Sequence, residues 1–96
     1  MKATPTGTVV GLVTPHLLRI ADLASQAEQG IKVDWHVRDA VGKSMDELGD
    51  LFNASVTVAT YIEGLENAAA QAPNHREAYI RTLQDAAEAA RRLRRD

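Results

Sequence analysis

Apolar residues recur at helical spacing along most of this chain, and the pattern predicts a protein built from α-helices. The first stripe follows Thr14 and Pro15, and proline suits the first position of a helix because its missing N–H is not needed there. Gly30 comes just after the stripe, where a left-handed glycine commonly ends a helix. We therefore predict a first helix over residues 15–29. Its apolar positions are Leu17, Ile20, Ala21, Leu23, Ala24 and Ala27.

The second apolar pattern begins after Asp34 and consists of two interleaved series, each with a seven-residue interval. A mean spacing of 3.5 residues is typical of coiled-coil packing. The phase is the same before and after the weak region near Gly49, so we predict one continuous helix over residues 35–72, with a break near Gly49 as the alternative. The first series is Val37, Ser44, Leu51, Val58, Leu65 and Ala72, and the second is Val41, Leu48, Ser55, Ile62 and Ala69.

A third helix is predicted over residues 75–95. Pro73 ends the preceding helix, and Asn74 followed by Glu77 has the spacing of a capping box. The apolar face of this helix comprises Tyr79, Ile80, Leu83, Ala86, Ala87, Ala90 and Leu93.

Residues 1–13 precede these helices and include most of the stretch GTVVGLVTP, which spans residues 7–15 and ends at Pro15. Its β-branched residues favour an extended conformation, so we expect an extended or flexible N-terminal arm. The arm's apolar side chains would cover the chain's own helices, a dimer mate or a target protein. These candidate contacts are Val9, Val10, Leu12 and Val13.

The fold class that follows is all-α, with one helical domain over residues 14–96. Short connections place both outer helices antiparallel to a central helix of roughly 55 Å, at about 1.5 Å per residue. Such a layer is two helices thick and cannot enclose a core, so a second copy or another protein is needed to cover it. We expect a homodimeric bundle, with a hetero-complex as the alternative. The packing seam comprises Val41, Leu48, Leu51, Phe52, Val58, Ile62 and Leu65.

Composition and motifs then narrow the chemistry. The formal charge of −2 argues against a globally basic ligand of nucleic acid or membranes, and the chain has no cysteine for thiol or zinc chemistry. His36 and Asp39 have the spacing of one helix face, but a metal site needs three or four converging ligands. No hydrolase, phosphate-loop or dinucleotide motif occurs. We therefore expect no metal, no cofactor and no enzymatic activity.

The last residues hold a cluster of cations in the sequence RRLRR. Arginines at a helix C-terminus stabilise the helix dipole, and they also neutralise phosphates. A regulator that contacts DNA through these residues is therefore the alternative hypothesis. The candidate contacts are Arg91, Arg92, Arg94 and Arg95.

The leading hypothesis is a small cytoplasmic regulatory protein that acts by protein–protein interaction. It would be an inhibitor, antiactivator or adaptor that occupies a surface on a target such as a transcription factor. Amphipathic helices dock into apolar grooves, and extended segments add to sheet edges, so both the helices and the arm are candidate contacts. The sequence identifies neither the target nor the sign of the effect.

Overall fold

The structure is a computed structural model that describes residues 6–51 and 53–94, with the side chains of residues 6 and 7 outside the description. These residues form an all-α fold of four helices. The helices are α1 (Thr6–Glu28), α2 (Asp34–Gly49), α3 (Ala54–Ala70) and α4 (Glu77–Leu93).

The first correction concerns the N-terminal arm. Residues 6–13 are not extended but form the first turns of α1, and Pro15 lies inside this helix. Val9 and Val13 are buried in register with Ile20 and Ala24, so one apolar stripe runs the length of the helix. Burying that stripe outweighs the modest helix cost of valine and the hydrogen bond that Pro15 cannot donate. Residues 1–5 of the predicted arm lie outside the described residues.

The end of α1 agrees with the sequence pattern. Gly30 has a φ of 92°, a left-handed conformation that favours glycine. The Gly30 N–H donates to the Ala27 carbonyl (3.0 Å) and the Ile31 N–H to the Gln26 carbonyl (3.1 Å), the two bonds of a Schellman motif. The predicted stop at Gly30 is therefore confirmed.

The second correction concerns the long central helix. Residues 35–72 form two helices, because α2 ends at Gly49 and α3 begins at Ala54. Four residues separate the two helices in the sequence, close to the 3.6 residues of one helical turn. The heptad spacing of apolar positions therefore has the same phase on both sides of the break. The Thr57 hydroxyl of α3 donates to the Leu48 carbonyl (3.1 Å), which also accepts from the Leu51 N–H (3.4 Å), so the two helices are joined by a hydrogen bond at the break. Continuous phase was therefore not evidence for a continuous helix.

The break changes how the seam is buried. All six pairs of helices pack together, and the described chain measures 46 × 24 × 18 Å rather than forming a two-layer rod. Leu51 is half-buried, and Phe52 lies outside the described residues. A single chain therefore encloses its own core, and the fold does not confirm the expected dimer. The seam residues in that core are Val41, Leu48, Val58, Ile62 and Leu65.

The start of α4 is held by α1 rather than by the expected capping box. Its N-cap is Arg76, which makes no side-chain cap. The Glu28 carboxylate at the end of α1 accepts hydrogen bonds from the Arg76 N–H (2.7 Å) and from His75 Nδ1 (3.1 Å). We call Glu28, His75 and Arg76 the α1–α4 clasp. The hydrogen bond from the Arg76 N–H lowers the pKa of Glu28 most, and the contact with His75 lowers it further. Partial burial raises this pKa but does not cancel the shift.

Candidate functional site

The outer side of α1 carries apolar side chains where a water-facing helix normally carries charge. Thr6 to Leu18 contains no Asp, Glu, Lys or Arg. Leu12 is 43% exposed and Leu18 is 63% exposed. Exposed Gly11 and Pro15 lie on the same side of the helix. We define the α1 outer face as Gly11, Leu12, Pro15 and Leu18.

The four arm residues named from the sequence lie on different sides of this helix. Val9 and Val13 are buried in the core, whereas Val10 and Leu12 are exposed. The structure therefore brings only two of the four predicted contacts to the surface. Leu18 was not predicted as a contact. It lies outside the apolar stripe of the predicted first helix, and the residue one turn later on its side of the helix is the polar Asp22.

Arg91 and Arg92 lie on the exposed side of α4. The Arg91 Nε donates to Glu66 of α3 (2.9 Å), and Arg92 pairs with Glu88 (3.2 Å). Arg94 is exposed, and Arg95 lies outside the described residues. Two of the predicted phosphate contacts therefore already have carboxylate partners, which any phosphate would have to displace.

A polar cluster that extends from the core to the surface joins α1, α2 and α3. His16 Nδ1 lies 2.7 Å from the Ser44 hydroxyl, and His16 Nε2 lies 3.7 Å from the Glu47 carboxylate. The ring of Tyr61 packs edge-on to His16, with 6.2 Å between centroids. The buried Tyr61 hydroxyl has no hydrogen bond of good geometry with a described group. Burial raises the pKa of Tyr61, and Ser44 and Arg19 only partly oppose this shift.

The order serine, histidine, glutamate resembles an activated nucleophile, but its position gives it a structural role. Ser44 is 1% exposed, so a substrate could not reach its hydroxyl. Its hydrogen bond with His16 instead satisfies a polar group placed in the core. The sequence signal was a serine within an apolar seam, yet its partner lies 28 positions away and could not be identified from spacing.

A groove of about 700 Å³ runs between α2 and α4. Val37, Gly42, Ala89 and Leu93 supply apolar surface. The charged residues that line it are Asp34 and Arg38 on α2, and Asp85, Glu88 and Arg92 on α4. Sequence patterns did not indicate this groove, because its two sides belong to helices that are separated in the sequence by the whole of α3.

The described residues hold no cluster of three or more His, Cys, Asp and Glu side chains that could bind a metal ion. None of the helices that the structure describes has the length and apolar character needed to span a bilayer. Comparisons with protein-family models, with curated proteins and with solved structures find no match for this chain.

Proposed function

We propose that this protein is a small non-enzymatic regulator that acts by binding a target protein through the α1 outer face. The supporting observation is that Leu12 and Leu18 are exposed on a stretch of helix that carries no charged side chain. Apolar surface rimmed by polar residues commonly marks an interaction site in a soluble protein.

The chemistry of this face defines the complementary target surface. Gly11 and Pro15 add little bulk between the two leucines, so a target helix or groove can approach the α1 backbone closely. The matching surface is apolar and accepts leucine side chains, as in helix-in-groove recognition. Bound in this way, the protein blocks whatever else uses that surface, and it acts as an inhibitor, antiactivator or adaptor.

The test compares capture by matched variants of the tagged full-length protein from a lysate of its source, after nuclease treatment. Leu18→Glu places a charge in the proposed interface. Val56→Glu is the control, because Val56 is an exposed valine of α3 (49% exposed) outside the face. We expect one protein to be retained by the wild type and by Val56→Glu but lost with Leu18→Glu. Equal retention by all three proteins would contradict the proposal, and recovery of nucleic acid alone would favour the DNA-binding alternative.

A further inference from the structure

The second surface of interest is the α2–α4 groove together with the tryptophan beside it. Trp35 is 69% exposed, which is unusual for the only tryptophan of a chain this size. It lies seven residues before Gly42, so the two positions project from α2 within about 20° of each other. Its ring contacts only the edge of His36 among the described aromatic rings. A large apolar anchor therefore stands at the rim of an open groove.

Gly42 leaves room in this groove, although the packing of the fold does not require a glycine at this position. It lies within α2, where glycine costs about 1 kcal/mol relative to alanine. A Cβ atom built at Gly42 would have no neighbour within 4 Å, so packing does not require glycine there. The missing side chain instead leaves room in the groove, since Gly42 is one of the residues that line it.

Two charges of opposite sign face the groove from its two helices without an ion pair to any residue that the structure describes. Arg38 lies on the α2 side and Asp85 on the α4 side, and neither has an ion pair with another described residue. By contrast, Glu88 and Arg92 on the same rim pair with each other (3.2 Å). The face thus combines an apolar anchor (Trp35), a groove that can receive such an anchor, a cation (Arg38) and an anion (Asp85).

We propose that this face binds a second copy of the chain, with Trp35 of each copy inserted into the α2–α4 groove of the other. In a two-fold dimer every contact between the copies occurs twice, so an Arg38 that meets Asp85 of the mate forms the same ion pair on both sides of the axis. A different partner would need only the anchor or the groove, and only the cation or the anion, whereas a second copy uses all four. The proposal does not depend on the α1 outer face, which lies on another helix.

Trp35 provides the readout, because its emission reports a single site. Sedimentation velocity and tryptophan fluorescence are measured on the full chain from low micromolar to near millimolar concentration. We expect a shift from monomer to dimer, accompanied by a blue shift of the emission as Trp35 leaves water. A monomer over the whole range, or a dimer with unchanged emission, would overturn the proposal.

Matched variants test the geometry. Trp35→Ala should weaken dimerisation about tenfold or more, as for a tryptophan anchor. Gly42→Leu should also weaken it by filling the groove, whereas Gly42→Ala should change it little. Val56→Ala removes an exposed valine of α3, outside both proposed surfaces, and serves as the control. Circular dichroism confirms that each variant is folded, and a dimer unaffected by both Trp35→Ala and Gly42→Leu would contradict this interface.

Charge reversal distinguishes a second copy from other occupants. Arg38→Asp and Asp85→Arg should each weaken dimerisation about twofold to fivefold, as expected for exposed ion pairs. The double variant should regain dimerisation with itself. Failure of the double variant to recover, with both single variants weakened, would contradict the proposed pairing.

Discussion

The first half of α1 and the whole of α4 are both amphipathic, but they present opposite surfaces to water. The buried side of α4 is mostly small, with Ala86, Ala87 and Ala90, and its outer side carries the pairs Glu77–Arg81 and Glu88–Arg92. The first half of α1 buries Val9 and Val13 and exposes leucines instead of charges. Both helices bury an apolar side in the core. This difference supports the proposal that the α1 outer face binds a target protein.

Core leucines should separate sharply from the exposed ones. Leu65 is fully buried in α3, and Leu65→Ala should lower the free energy of unfolding by about 2–5 kcal/mol. Leu18→Ala should change it by no more than about 0.5 kcal/mol, because the side chain already faces water. Urea denaturation of both variants provides the measurement. Comparable losses would mean that Leu18 is packed and that the α1 outer face is not free.

The α1–α4 clasp predicts a pH dependence that links the two helices. The folded-state pKa of Glu28 lies below its ordinary value of 4.5. Its carboxylate therefore adds stability above that value, and this contribution is lost as the pH falls through the lower, folded-state pKa. Glu28→Gln should lower the free energy of unfolding at neutral pH, and its difference from wild type should shrink in acid.

The control for this prediction is Glu63→Gln, an exposed glutamate of α3 without an ion pair to any described residue. It should leave the pH profile unchanged. His75 and Arg76 are the neighbours that lower the pKa of Glu28, so His75→Gln tests whether the histidine is needed. Parallel profiles for wild type and Glu28→Gln would show that the clasp does not form.

The hydroxyl of Tyr61 offers a smaller test of the core beneath both helices. Because this buried hydroxyl lacks a good hydrogen bond, Tyr61→Phe should leave the free energy of unfolding unchanged or raise it by up to about 1 kcal/mol. Thermal or urea unfolding measures the effect. A clear loss of stability would show that the hydroxyl is bonded in solution.

The surface pairs of α4 should contribute least. Arg91→Gln removes the contact with Glu66 and should lower the free energy of unfolding by about 0–1 kcal/mol, and by less at high salt.

The arginines at the end of the chain also test the DNA-binding alternative. Under that alternative, DNA affinity falls steeply with salt and is lost when Arg91, Arg92, Arg94 and Arg95 are changed to glutamine. Binding that is insensitive to salt would argue against phosphate contacts.

Local patterns in the sequence predicted the helical class and most of the buried residues. The spacing that includes Leu48, Ile62 and Leu65 correctly identified core positions, and Gly30 marked a real helix end. What failed depended on neighbours distant in sequence. Val9 and Val13 read as an extended arm because their packing partners lie in other helices. The break after Gly49 kept the heptad phase, so a core formed within one chain looked like a seam for two.

The candidate surfaces were predictable only in part. The apolar residues of the predicted arm were named as contacts, and of these Val10 and Leu12 are exposed. The groove between α2 and α4 arises only when the helices pack, and neither Gly42 nor Asp85 carries a motif of its own. Trp35 stood beside His36 in the sequence without any sign that it would remain exposed.

Amide hydrogen exchange at residues 10–14 tests most directly whether α1 presents the proposed face. In a helix from Thr6, these amides donate to carbonyls one turn earlier, and the buried side chain of Val13 keeps water away. We predict that they exchange slowly, approaching the protection of the core amides of α3. Exchange at the rate of an unstructured chain would show that this segment is the extended arm, and the α1 outer face would not exist in the free protein.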